Sequence, residues 1–120
     1  MTLPPIDPKY LARIDALSVK EKTLLHEICV EIIDLNSKFN NQPRSTDEVI
    51  NIADDLIGNV AGSVTTYIIE SLSNHEPADD NEVDAMAKIL IPYHMENENL
   101  GRAGQELSRL LYLTMGRKAA

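Results

Sequence analysis

Three acidic residues have a spacing that could bring them together for metal chemistry. Glu27, Glu31 and Asp34 follow one another at intervals of four and three residues, so on a helix they share one face. A second acidic pair, Asp54 and Asp55, lies further along the chain. If the two segments form antiparallel helices, these carboxylates could gather around Mg²⁺, which prefers oxygen ligands and phosphate. The pattern therefore leaves open one enzymatic alternative, an all-α magnesium-dependent nucleotide hydrolase.

Basic residues on the same stripe favour a simpler interpretation of these carboxylates. Lys20 and Lys38 lie on the face that carries the three carboxylates, and Lys38 follows Asp34 at the spacing of a helical ion pair. This face also points away from the apolar side of the predicted helix. We therefore expect a solvated helix surface, assign no catalytic residue and interpret the chain as non-enzymatic.

The other residues with reactive side chains form no recognisable site in the sequence. His26, His75 and His94 have neither a second histidine four residues away nor the Glu-x-x-His spacing of di-iron bundles. His94 continues an apolar stripe with Leu90, so we expect a hydrogen-bonded core residue there. The single cysteine, Cys29, lies on the apolar side of its helix and is expected to be buried. No metal and no cofactor is assigned.

Helix-capping residues and apolar periodicity predict the elements that carry these side chains. Four capping residues precede segments of helical period, and three of them have glutamate three residues later: Asp7, Ser18, Ser45 and Asp79. Pro92 should kink or end the helix that begins after Asp79, the third of the main helices. No strand pattern competes. The prediction is all-α: a single-domain helical bundle over residues 1–120, with four main helices, a short N-terminal helix and flexible ends at 1–6 and 117–120.

The two central helices carry wide apolar arcs. The helix that begins after Ser18 has apolar residues over half of its surface, which predicts that it contacts two neighbours. The next helix, predicted from Ser45 to about Leu72, has a core stripe on one face. We expect the following residues of the two helices to be buried: Leu24, Leu25, Ile28, Cys29, Ile32, Ile33, Leu35 and Phe39, and Val49, Ala53, Leu56, Ile57, Val60, Val64, Tyr67 and Ile68.

The second face of the long helix has few charges, whereas a solvent-facing surface normally carries lysine and glutamate. Gly58 and Gly62 lie four residues apart on it, and missing side chains there would let another helix come close. That helix could belong to the same chain or to a second subunit. The residues we predict at a subunit interface are Gly58, Gly62, Thr65, Thr66 and Ile69, with Arg102 and Arg109 as charged contacts.

The charge distribution narrows the classes of partner. The net charge is −8, and residues 45–87 hold ten acidic residues without a lysine or arginine. Such a block disfavours direct binding to nucleic acid or to an anionic membrane, since both are polyanions. It favours a basic protein partner. One alternative is an acidic DNA mimic that inhibits a DNA-binding protein.

Composition and these patterns together give the functional prediction. The first ten residues lack the apolar segment of a signal peptide, and a lone cysteine suits a reducing compartment, so we expect a cytoplasmic protein. The predicted function is protein–protein interaction, with self-association into a homodimer as the first expectation.

Overall fold

The computed structural model describes residues 5–97 and 99–119, with side chains described as far as Tyr112. Within these ranges the chain forms helices and no strand, which confirms the all-α class. The helices are α1 (Pro8–Asp15), α2 (Val19–Asn40), α3 (Asp47–Ala53), α4 (Asn59–Ser73), α5 (Asp80–Glu96) and α6 (Leu100–Ala119), and a π-helical turn (Asp54–Gly58) joins α3 to α4.

Three of the predicted caps begin helices as expected. The Asp7 carboxylate accepts a hydrogen bond from the Lys9 amide at the start of α1. Ser18 and Glu21 form the reciprocal capping box of α2, with hydrogen bonds of 3.1 and 3.0 Å. Asp79 accepts from the backbone amide of the third residue after it, at 2.8 Å, and begins α5. These contacts satisfy backbone N–H groups that a helix start leaves without intrahelical partners.

The long central helix begins one residue later than predicted. Its N-cap is Thr46, whose hydroxyl accepts from the Val49 amide at 3.3 Å. The hydroxyl of Ser45 instead donates to the Phe39 carbonyl, so the predicted cap at Ser45 is wrong by one position. From α3 through the π turn to α4 the backbone stays helical, because the residues at both joints have right-handed helical dihedral angles.

Two helix ends differ from the sequence prediction. The α5 helix does not end at Pro92 but continues to Glu96. The α6 helix runs to Ala119, so residues 117–119 of the predicted flexible end are helical. The rest of the predicted flexible ends falls partly on residues 1–4 and 120, which lie outside the described residues.

The hydrophobic core lies where the second half of α4 meets α5 and α6. Its centre contains side chains with at most 2% exposure, and full burial of each contributes about 1.5–3 kcal/mol. α1 and the first residue of α2 close this core on one side. The buried core residues are Ile14, Val19, Ile68, Ile69, Leu72, Met86, Leu90 and Leu110.

The other half of the molecule is a two-helix hairpin made by α2, α3, the π turn and the start of α4. The radius of gyration is 16.7 Å, against about 14 Å for a compact domain of this length. Several residues predicted to be buried are exposed here, among them Leu24 at 56%, Leu35 at 55% and Leu56 at 72%. The prediction of core stripes along the whole of both helices is therefore wrong. α6 packs mainly on α5, and among the described residues no other helix covers the far end of the hairpin.

Candidate interaction surface

The carboxylates considered for magnesium do not form a metal site. Glu27, Glu31 and Asp34 are exposed on α2, and Asp55 is exposed beside Asn59. Over the described ranges, no group of three or more histidine, cysteine, aspartate or glutamate side chains is placed to hold a metal ion. These carboxylates are therefore not placed to bind one metal ion together.

Asp54 has a different environment, a polar cluster between α2 and the π turn. One oxygen of its half-buried carboxylate accepts hydrogen bonds from the side-chain amides of Asn36 at 2.8 Å and Asn40 at 2.9 Å. Gly58 lies against the same cluster, and a Cβ built on it would lie 2.8 Å from Nδ2 of Asn36. The close approach inferred at Gly58 is thus made to α2 of the same chain.

Two further residues of the predicted interface are buried within the chain. Ile69, at 4% exposure, belongs to the hydrophobic core, and Thr65, at 9%, donates its hydroxyl to the Gly62 carbonyl. Gly62 is half-buried. Burial against the chain's own helices therefore accounts for part of the uncharged face of α4. Contact of these residues with a second subunit stays a prediction.

Arg102 and Arg109 are engaged within α6. Glu106, only 4% exposed, accepts from Nη2 of Arg109 at 2.9 Å and lies 3.5 Å from Nε of Arg102. Arg109 also donates from Nη1 to the His75 carbonyl at 3.2 Å, which ties α6 to the loop before α5. Glu106 was not predicted from the sequence. It lies four residues after Arg102 and three before Arg109, and both are spacings at which helical ion pairs form.

Three predicted interface residues line one small cavity beside His94. Thr66, Ile69 and Arg102 contribute to its walls, and its volume is about 220 Å³. His94 is buried as expected, but in the described part of the chain its Nε2 has no hydrogen-bond partner. His94 lines this cavity, but its Nε2 is itself almost completely shielded from solvent.

A group of ten exposed apolar side chains lies on the hairpin, and we call it the hairpin surface. Its members on α2 repeat at four, four, three and four residues, which places them on one face of the helix. Over both helices the exposed fractions of its members run from 37% to 72%, and none carries a charge. The hairpin surface consists of Leu24, Ile28, Ile32, Leu35 and Phe39 on α2, with Val49, Ile52, Leu56, Ile57 and Val60 on the antiparallel helix.

The apolar arc of α2 is therefore divided between two environments. Residues such as Leu25 and Cys29 face the rest of the chain, whereas the hairpin surface has no cover among the described residues. Cys29 is buried as predicted, and burial raises the pKa of its thiol, so little thiolate is present at neutral pH. One signal for this surface was present in the sequence, an apolar arc on α2 too wide for a single neighbouring helix.

No protein-family model matches this chain, and neither a curated protein nor a solved structure is significantly similar to it. In the portion that is described, no helix combines the length and the apolar character needed to cross a bilayer.

Proposed function

We propose that this chain is a non-enzymatic protein-interaction module that self-associates through the hairpin surface. The observation that carries the proposal is the exposure of ten large apolar side chains on the hairpin. Monomeric proteins rarely expose contiguous apolar patches beyond a few hundred Å². Leu56, at 72% exposure, would be costly to leave in water and gains most from a cover.

The spacing along α2 favours a second copy of the chain as that cover. A two-fold dimer needs a patch that is complementary to itself. Leu24 and Phe39 lie equally far from a point between residues 31 and 32, and so do Ile28 and Leu35. An antiparallel pair of α2 helices centred on that point would place Leu24 opposite Phe39 and Ile28 opposite Leu35 of the second copy, whereas Ile32 would lie next to the two-fold axis, opposite Glu31.

The proposed dimer would also form a helical bundle from two chains, which differs from the single-chain bundle predicted from the sequence. Two hairpins that face each other would form a four-helix bundle, an arrangement that buries apolar positions of all four helices. The Asp54–Asn36 cluster would lie close to this interface. Polar contacts among apolar layers are known to fix register in helix assemblies, and we propose that role here.

The acidic block adds less to the proposal than the hairpin surface does. Several of its members have local partners: Asp79 caps α5, Glu82 contacts His75, and Asp84 pairs with Lys88 at 3.0 Å. Arg102 and Arg109 are occupied by Glu106, so pairing between the acidic block of one subunit and α6 of another is not part of this proposal.

Light scattering after size exclusion, at low and high salt, tests the proposal. We expect a dimer whose mass does not change with salt, because apolar contacts are not screened. A monomer at both salts would refute self-association. A dimer that dissociates in high salt would indicate a charged interface elsewhere and would also contradict the proposal.

Disulfide cross-linking tests the antiparallel arrangement. In a Cys29→Ser background, Ile32→Cys would place two thiols next to the two-fold axis, where Cα atoms could come within about 7 Å. We expect rapid oxidation to a covalent dimer. The matched control is Glu27→Cys, which is exposed on the same helix but outside the hairpin surface. Equal cross-linking of the two variants would mean random collision and not a specific interface.

A further inference from the structure

A cavity of about 540 Å³ lies between α1 and the α2–α4 pair, at the end of the hairpin nearest the core. Most of its lining is apolar, including Ile14, Leu25 and Val64, with Cys29 in the wall. Pockets that bind small molecules are commonly about 300–1,000 Å³, mostly apolar, with a few polar groups that orient the ligand. This cavity has both the size and the lining of such a site.

Its rim carries one cation that is free to contact a ligand. Arg13 lines the cavity and lies 5.5 Å from the centre of the Tyr10 ring. The Arg13 guanidinium has no ion pair or hydrogen bond to a described residue. Lys9 lies over the same ring at 5.0 Å. The other charged lining residue, Asp7, caps α1, and its carboxylate accepts a hydrogen bond from the Lys9 backbone amide. Asp7 keeps its negative charge, so the rim has a net positive charge only because Lys9 lies beside Arg13.

α1, which covers one side of the cavity, contacts the rest of the chain at a few residues. α1 contributes Ile14 to the core, and the hydroxyl of Tyr67 on α4 donates to the Asp15 carboxylate at the end of α1. Asp15 and Tyr67 do not line the cavity, whereas Ile14 belongs both to its wall and to the core. A ligand between α1 and the α2–α4 pair would therefore contact the core through Ile14.

We propose that this cavity binds an amphipathic carboxylate, with its alkyl chain between α1 and the α2–α4 pair and its carboxylate on the Arg13 guanidinium. A guanidinium and a carboxylate form short, charge-assisted hydrogen bonds. The apolar wall suits an alkyl chain, because such a chain needs no hydrogen-bond partner. The site is independent of self-association, since only Val60 belongs to both the cavity lining and the hairpin surface.

Cys29 supplies the readout, because it is the only thiol of the chain and forms part of the cavity wall. The 120-residue chain is alkylated with a maleimide at mildly alkaline pH, alone or with dodecanoate, dodecanol or dodecylammonium below their micelle concentrations. At about ten times its Kd, dodecanoate should slow alkylation about tenfold. Native mass spectrometry should show one dodecanoate per chain. Dodecylammonium should protect least, because its charge is repelled by Arg13.

Variants separate the headgroup contact from the cavity. Arg13→Gln should weaken dodecanoate binding about tenfold, while the exposed control Arg44→Gln should leave it unchanged. Ile6→Trp, in the non-helical segment that lines the cavity, should block binding without loss of helicity. Leu56→Glu, which targets the proposed dimer, should bind dodecanoate like the natural chain.

Two kinds of result would contradict the proposed ligand site. No protection by any of the three compounds would mean that the cavity is filled or closed in solution, and would overturn the proposal. Equal protection by dodecanoate and dodecylammonium, or unchanged dodecanoate binding by Arg13→Gln, would overturn the assignment of a carboxylate ligand.

Discussion

Replacement of Leu56 by glutamate should convert the proposed dimer into a monomer. Leu56 is 72% exposed in the single chain, and burial of that exposed part would contribute about 1–2 kcal/mol. A two-fold interface contains the residue twice, so the loss is about 2–4 kcal/mol before any cost of burying a carboxylate. Each 1.4 kcal/mol is a factor of ten, so the Kd should rise by about 30- to 1,000-fold.

Light scattering across a dilution series measures this change. The control is Leu100→Glu, because Leu100 is also highly exposed, at 68%, but lies at the start of α6 and outside the hairpin surface. We expect Leu100→Glu to keep the dimer, and both variants to keep the helicity of the natural chain. The reasoning fails if Leu56→Glu has an unchanged Kd, or if the two variants weaken association equally.

Three further predictions concern the folded chain. Gly104→Ala should raise the free energy of unfolding by about 0.5–1 kcal/mol, measured by thermal unfolding, because a new Cβ meets nothing within 4 Å. Gly58→Ala should raise it less, because Nδ2 of Asn36 must move to make room for the Cβ. Equal gains in the two variants would contradict the close approach at Gly58. Glu106→Ala should lower the free energy of unfolding by about 1–3 kcal/mol in urea titrations, since it removes the carboxylate that pairs with Arg109. Glu96→Ala, at an exposed site, is the control, and a comparable loss there would count against the ion pair. The hydrogen bond to Asp15 raises the pKa of Tyr67. The stabilisation from this hydrogen bond is therefore complete below the ordinary tyrosine pKa of about 10 and is lost as pH rises through the raised pKa. Hydrogen exchange of α1, corrected for its intrinsic pH dependence, should therefore accelerate at high pH in the natural chain, whereas Tyr67→Phe should exchange faster already at neutral pH; identical profiles would rule out this attachment.

The sequence by itself determined the helices. Capping depends on side chains within three residues of a helix start, so Asp7, Ser18 and Asp79 could be recognised without tertiary information. The error at Ser45 arose because Thr46 beside it caps equally well, and the Phe39 carbonyl that Ser45 contacts lies six residues away. The burial of Cys29 followed from its position on an apolar arc.

The tertiary structure decided which apolar residues are covered. Helical periodicity places Leu56 and Ile68 on comparable apolar stripes, yet Leu56 is 72% exposed and Ile68 is fully buried. The difference depends on where α5 and α6 pack, and that position is set by contacts distant in sequence. The same holds for the cavity beside Cys29, because it is formed by three separate helices. A periodic pattern records that a face is apolar, but only the packed chain shows what lies against it.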